Sequence, residues 1–354
     1  MCVPRIALGG GLTIVADLVR TERLMSLYFD VAAVGNAIVD VISPAPDAFI
    51  EAEGLAKGAM TLIDDRRAEA LYARMAPGVE ASGGSAGNTV AGVASLGGRA
   101  AYIGKVADDQ LGRVFHHDIT ALGVHFEPTP SRDGLATGRC LVNVTPDGQR
   151  TMCTFLGAAN QLTVADIDPE VIKAAQIVYL EGYLFDPEAA RLAFAKAAQI
   201  ARTAGRKIAL TLSDAFVVDR HRAALSAFIA AEVDIVFANA AEVMSMHETT
   251  DFAGAAKALA GLAPTVCVTH GAEGSQIFHN GQATQISAHP VEKVLDTTGA
   301  GDQYAAGVLY GLARGLTPEV CGRLGALAAA EVIAHYGPRP QTALKALAEA
   351  GGLI

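Results

Sequence analysis

"DTTGAGDQYAAGVLYGLARG", residues 296 to 315, puts an acid, two threonines, a Gly-Ala-Gly triplet and a second acid directly ahead of an apolar run. If the triplet turns into a helix, the free N–H groups of the first turn carry a partial positive charge, and the helix mouth becomes an anion site. Asp302 then either caps that helix or takes a proton. Capping accounts for the carboxylate but not for the three small residues before it. An acid beside an anion site can accept the proton of an attacking hydroxyl, while the amides of Gly299, Ala300 and Gly301 stabilise charge on a transferring phosphoryl group.

Upstream of this segment, short apolar runs alternate with helical patterns. "FDVAAVG" (29–35), "AAYIG" (100–104), "AQIVYLEG" (175–182), "KIALTL" (207–212), "VDIVFAN" (233–239) and "PTVCVTHG" (264–271) have the length of strands. Between them, "SAGNTVAGVASLG" (85–97), "DDQLGRVFHHDITALG" (108–123), "DPEAARLAFAKAAQIARTAG" (186–205) and "DFAGAAKALAGLA" (251–263) carry i, i+3, i+4 spacing behind Asp or Ser starts. Strands apolar on both faces and joined by helices predict an α/β fold, a doubly wound, mostly parallel sheet flanked by helices. Residues 37–63 and 123–160 break the rhythm, and "ATGRCLVNVTPDGQRTMCTFL" (136–156) reads as a hairpin turning at "PDG". They predict a small inserted β lid over the ligand crevice, leaving 29–36, 64–122 and 161–354 as the α/β core and 1–28 as an N-terminal extension. Met25 stands just before the first strand-like run, and residues 1–24 are compatible with an early start-codon assignment.

Composition narrows the partners. A formal net charge of -10 over 354 residues argues against nucleic acid or an anionic membrane as the main partner and for a small ligand. No apolar run has the roughly 20 residues that a membrane-spanning helix needs. Cys2, Cys140, Cys153, Cys267 and Cys321 are scattered without a C-x-x-C, which predicts reduced thiols and a cytoplasmic protein. The rings of His116 and His117 would point to different helix faces, which disfavours a metal site there.

In an open α/β sheet the ligand sits at the carboxyl ends of the strands. "GNAIVD" (35–40) ends in Asp40, which either accepts hydrogen bonds from vicinal hydroxyls or is a solvated turn residue. In "SGGSAGNTVAGVASLGG" (82–98), Gly83 and Gly84 allow close backbone approach and Asn88 offers a donor and an acceptor to a hydroxyl. "NAAE" (239–242) places Asn239 and Glu242 on one helical face, as a site for hydrated Mg2+ or as a capping box. Thr269, Gly271 and Gly274 in "THGAEGS" (269–275) can present a hydroxyl and open amides to a nucleotide phosphate.

With these motifs in view, the chain resembles the ribokinase (PfkB) family of carbohydrate and nucleoside kinases from about residue 29 onward. "GGSAGN" with "ASLGGRAAYIGKVADDQLG" is similar to its N-terminal signature and "DTTGAGDQYAAGVLYGLARG" to its C-terminal one. "VYLEGYLFD", "LTLSDAFVVDRHR" and "VDIVFANAAE" look most like the adenosine kinase branch. The resemblance implies a ribokinase-like fold and ATP-dependent phosphorylation of a primary hydroxyl, most simply the 5'-hydroxyl of adenosine. It makes Asp302 the base and Gly299, Ala300 and Gly301 the anion hole. Asn239 and Glu242 would organise Mg2+, with Thr269, Gly271 and Gly274 facing ATP. Asp40, Gly84 and Asn88, with Asn36 and Gly83 beside them, would hold the substrate's hydroxyls. Asp296, Thr298 and Gly337 fall where relatives bind a monovalent cation, usually potassium. Arg150 in the lid hairpin would either close over the phosphates or stand solvated.

Two departures are visible: Ala240 follows Asn239 where relatives often have Glu, and Ala326 stands where they often carry Asn or His near the adenine. Ile38, Phe155, Leu156, Phe185 and Phe216 are candidates for an apolar slot that would separate a nucleoside from a sugar. The alternatives are a sugar kinase for ribose or fructose and a non-catalytic ligand-binding regulator. Monomer and homodimer both fit the resemblance.

Overall fold

The computed structural model describes residues 29–132 and 134–354; the expected N-terminal extension, residues 1–28, lies outside them. The strands, in chain order, are β1 (Phe29–Val34), β2 (Ile38–Pro44), β3 (Met60–Leu62), β4 (Val79–Ser82), β5 (Ala100–Ile103), β6 (Thr137–Val144), β7 (Arg150–Gly157), β8 (Ala175–Glu181), β9 (Lys207–Thr211), β10 (Ile235–Asn239), β11 (Thr265–Thr269), β12 (Ser275–His279) and β13 (Gln282–Ile286). They form an eight-stranded sheet in the order β13-β12-β11-β10-β9-β8-β1-β5 and a five-stranded sheet in the order β3-β7-β6-β2-β4. In the large sheet every pairing from β5 to β11 is parallel, and β12 and β13 add an antiparallel edge.

The continuous apolar runs have a simple cause. Side chains alternate across a strand, and both faces of the large sheet are covered. Ala32, Val34, Val178, Leu180, Leu210 and Val266 face the Glu188–Thr203, Ala215–Glu232 and Phe252–Ala260 helices, whereas Val31, Ala33, Ile177, Tyr179, Ala209 and Cys267 face the Ser85–Ser95 and Ala300–Ala313 helices. The Ala300–Ala313 helix is buried from Gln303 to Gly311. It can lie that deep because its small residues admit the Pro318–Ile333 helix: a Cβ on Gly307 would stand 2.4 Å from the backbone nitrogen of Gly325.

The small sheet covers the carboxyl edge of the large one, but its bounds differ from those the sequence suggests. β4 lies inside the stretch 64–122 assigned to the core, yet it pairs antiparallel with β2, Asp40 opposite Ala81. Its four residues, VEAS, alternate apolar and polar but are too few and too weakly apolar to stand out as a strand. Conversely, His125, assigned to the lid, ties to the edge of the core by donating to the Ala100 carbonyl and accepting from Tyr102 N, at 2.9 and 2.8 Å. Val124 and Phe126 beside it are buried in the core, Phe126 against Tyr102 and Phe115. Among the described residues, no helix is long and apolar enough to cross a membrane.

Candidate active site

The chain reverses direction across the large sheet at β1, with β5 on one side and β8 on the other, and such a switch point opens a crevice beyond the strand ends. Residues at or just past those ends, Asn36, Glu181, Thr211, Asn239 and Thr269, line one cavity of about 720 Å³. The small sheet roofs it with Ile38, Asp40, Cys140, Val142, Arg150, Met152, Thr154 and Leu156. The size suits a ligand of nucleoside scale.

The Ala300–Ala313 helix opens into this cavity. Gly299 caps it in the left-handed region at φ 78°, where a Cβ would stand 2.7 Å from Pro338, so glycine is required. Gly299 and Gly301 line the cavity. Ala300, expected with them in the anion hole, lies off its wall, and its amide closes the turn onto the Thr297 carbonyl at 3.2 Å. The amides of Gly301 and Asp302 have no acceptor among the described residues.

Asp302 sits in that first turn and faces the cavity. Its Oδ1 accepts from the Ser85 hydroxyl at 2.6 Å and its Oδ2 from Asn88 Nδ2 at 3.0 Å. Burial pushes its pKa up to about 6, opposed by those two hydrogen bonds and by the positive charge of Arg339. Arg339, in the Gly-Pro-Arg-Pro segment 337–340, donates from Nε to Asn88 Oδ1 at 3.3 Å and from Nη1 to the Ser82 hydroxyl. It thereby turns the Asn88 amide so that its NH2 faces Asp302. Arg339→Met should move the acid limb of kcat/KM upward from near pH 6, by about half to one pH unit. A pH–rate profile checks this; an unmoved limb would leave Arg339 a packing role only.

Asp40, on the roof of the same cavity, makes no side-chain hydrogen bond among the described residues; burial lifts its pKa to about 6 against the pull of Arg339 and Arg150, and the charge of Asp302 adds to the rise. Gly83 lies behind it rather than on the wall: a Cβ there would come 2.5 Å from the Asp40 carboxyl. Gly84 is on the wall at φ 84°, and a Cβ would come 2.2 Å from the Asn36 carbonyl. Asn36 is held by Glu181, whose Oε1 accepts from Asn36 Nδ2 at 2.7 Å and whose Oε2 accepts from Ala86 N at 2.8 Å. Burial raises Glu181 to about 7, the Ala86 and Asn36 donors opposing it. No motif reading singled out Glu181 or Arg339. The first ends β8, where the strand-end rule would have found it; the second carries no local signal.

On the far side of Asp302, Asn239 and Glu242 form a full reciprocal capping box. Asn239 donates to Glu242 from N at 3.0 Å and from Nδ2 at 2.6 Å, and accepts from Glu242 N at 2.9 Å. Both also line the cavity beside Asp214, so capping does not turn them away from it. Burial and then the charges of Asp214 and Asp302 raise Glu242 to about 7. Thr269 is on the wall; Gly271 and Gly274 are not. Gly274 is needed for packing, since a Cβ would meet the Ile286 carbonyl at 2.1 Å. Ala326 faces a second cavity of about 350 Å³ with Gln285, His289, Glu319 and Arg323.

Asp296, Thr298 and Gly337 do converge, and Arg150 joins them. The Asp296 carboxylate accepts from Thr298 N at 3.0 Å, from Gly337 N at 3.1 Å and from the Arg150 guanidinium. Arg150, only 8% exposed, is therefore not the solvated side chain that one reading allowed. Of the apolar slot candidates, Ile38, Leu156 and Phe216 reach the cavity. Phe155 does not: on β7, Arg150, Met152, Thr154 and Leu156 face inward, and strand parity sends Phe155 to the other face. Phe185 packs into the core against Phe194 and Phe228.

The chain matches the pfkB family carbohydrate kinase pattern over residues 54–344. It is 49% identical to the adenosine kinase from Sinorhizobium meliloti, whose crystal structure superposes with a TM-score of 0.86 over 91% of this chain and 99% of that one. A probable sugar kinase protein from Rhizobium etli CFN 42 is 48% identical, with a TM-score of 0.87 over 92% and 99% of the two chains. The adenosine kinase of Saccharomyces cerevisiae is 26% identical over 328 residues, 86% of this chain and 94% of that one. With the family pattern matched over most of its length and relatives of this kind in sequence and structure, the chain belongs to the pfkB carbohydrate kinases, phosphotransferases that act on a sugar or nucleoside hydroxyl with ATP as the implied donor.

Proposed function

We propose that the enzyme phosphorylates the 5'-hydroxyl of a nucleoside, adenosine before others, at the expense of ATP. One observation carries this: the Asp302 carboxylate and the open amides of the first helical turn face a cavity that also holds a second carboxylate, Asp40, with no side-chain hydrogen bond among the described residues and with apolar surface in the same wall. Asp40 suits the two vicinal hydroxyls of a ribose, with Asn36 and Asn88 nearby. Ile38, Val142, Met152, Leu156 and Phe216 offer a base the apolar surface that a bare sugar would leave wet. The names of the relatives from Sinorhizobium meliloti and Saccharomyces cerevisiae agree with this reading.

Asp302 takes the proton of the attacking hydroxyl, held on course by Ser85 and Asn88. The Gly301 and Asp302 amides, with the helix dipole behind them, meet the charge that spreads over the transferring phosphoryl group. Mg2+ fits the Asn239 and Glu242 end: burial beside Asp214 and Asp302 leaves Glu242 short of positive charge, and a hydrated ion needs few protein oxygens. Bound there with the nucleotide, Mg2+ would neutralise phosphate oxygens. Asp302 is ionised above about pH 6, so its protonation contributes to the acid limb of the rate, together with that of Asp40 near 6 and Glu242 near 7.

The test is ADP release with ATP and a panel of nucleosides, ribose, fructose and other sugars. Adenosine should give the highest kcat/KM. A sugar turning over faster would favour the sugar kinase reading, consistent with the description of the Rhizobium etli relative. No acceptor-dependent ADP at all would leave a binding protein.

A further inference from the structure

We propose that Arg150 supplies, from within the chain, the positive charge that a monovalent cation supplies to relatives that need one, so that turnover here is independent of potassium. The inference rests on the kinase activity, not on which hydroxyl is phosphorylated.

The polarity of the site carries it. Asp296 is 6% exposed, and a carboxylate buried to that degree needs compensation. The three residues expected around a cation do meet, but the wrong way round for one. Oδ1 accepts from the Thr298 amide, and Oδ2 accepts from both the Gly337 amide and the Arg150 guanidinium. An alkali ion takes oxygen ligands; here the backbone groups aimed at Asp296 are N–H donors, and a full positive charge already lies against the carboxylate. A second cation would have to displace the guanidinium or sit beside it. Asp40 is the other acid whose charge Arg150 moderates.

The pairing has a positional consequence. Asp296 holds the Thr298 amide, and Thr298 leads directly into Gly299 and the helix mouth. Arg150 begins β7 in the small sheet, so the ion pair fastens the roof of the cavity to the turn that shapes the phosphate site. Arg150 is thus a positioning residue acting through Asp296.

The test uses the full-length enzyme with Mg-ATP and the best acceptor from the panel, in potassium, sodium or tetramethylammonium chloride at equal ionic strength. The wild type should show rates within about twofold across the three salts, and its ligand-free melting temperature should not respond to potassium in particular. Arg150→Met should lose about 10²-fold in kcat or more in tetramethylammonium, as expected when a buried pair loses one member. Potassium or guanidinium should restore about tenfold of this and raise the variant's melting temperature specifically. Arg150→Lys should fall between the two. Potassium stimulation of the wild type by more than about fivefold would overturn the proposal, and so would an Arg150→Met enzyme that neither cation rescues in rate or melting. If no acceptor is turned over, the function proposed above fails instead, and the melting data still decide the role of Arg150.

Discussion

Asp302→Asn should cut turnover by about two to four orders of magnitude while both ligands still bind. The amide keeps the shape of the carboxylate and can still bond to Ser85 and Asn88, but it cannot take a proton. Stability works in the experiment's favour. Folding raises the Asp302 pKa from 3.8 to about 6, so the folded state holds this proton more tightly than the unfolded one. The contribution of this group is present in full below its unfolded pKa and lost as the pH rises through about 6. Asparagine suffers no such loss. The variant should therefore melt no lower than the wild type at neutral pH, which separates a chemical defect from a folding one. Single-turnover rates with ligand titrations check the first part and thermal scans the second; near-normal turnover would remove Asp302 from the chemistry.

The second large effect belongs to Asp40→Ala. If Asp40 accepts two hydroxyl hydrogen bonds, removing it should lower kcat/KM by about 10² to 10³, chiefly through KM, because such bonds form before the transition state as well as in it. The wild type should prefer adenosine over 2'-deoxyadenosine, and the variant should lose most of that preference. A change confined to kcat, with the deoxy preference intact, would place Asp40 elsewhere in the mechanism. Removing a carboxylate whose folded pKa is also raised to about 6 should not weaken the fold at neutral pH.

Both acids stand out in the sequence because each follows a feature that local physics marks: Asp40 on β2, the first strand after β1, and Asp302 behind a triplet that only a tight turn into a helix would use. The strands were legible for the same reason, since runs apolar on both faces have few other uses. What the sequence hid depends on distance. Arg339 reaches Asn88 across 251 positions and Arg150 reaches Asp296 across 146. Nothing local at either end announces the partner. Phe155 and Leu156 are adjacent and equally apolar, and only the register of β7 against β6, with Phe155 opposite Arg139, decides which one enters the cavity. Asn239 and Glu242 posed a choice between cap and ligand site; the structure shows the cap, and the same pair also forms part of the cavity wall.

The division of labour between the two sheets reaches beyond this chain. Asp302, the helix mouth and the Asn239 and Glu242 pair all come from the large sheet and its helices, whereas Ile38, Cys140, Val142, Met152 and Leu156 come from one face of the small sheet. Inward-facing roof positions other than Asp40 and Arg150 can therefore drift without touching Asp302 or the helix mouth. A scaffold arranged in this way can change its repertoire of alcohols by repainting a ceiling, which is how bare sugars and nucleosides can be served by chains that keep the same floor.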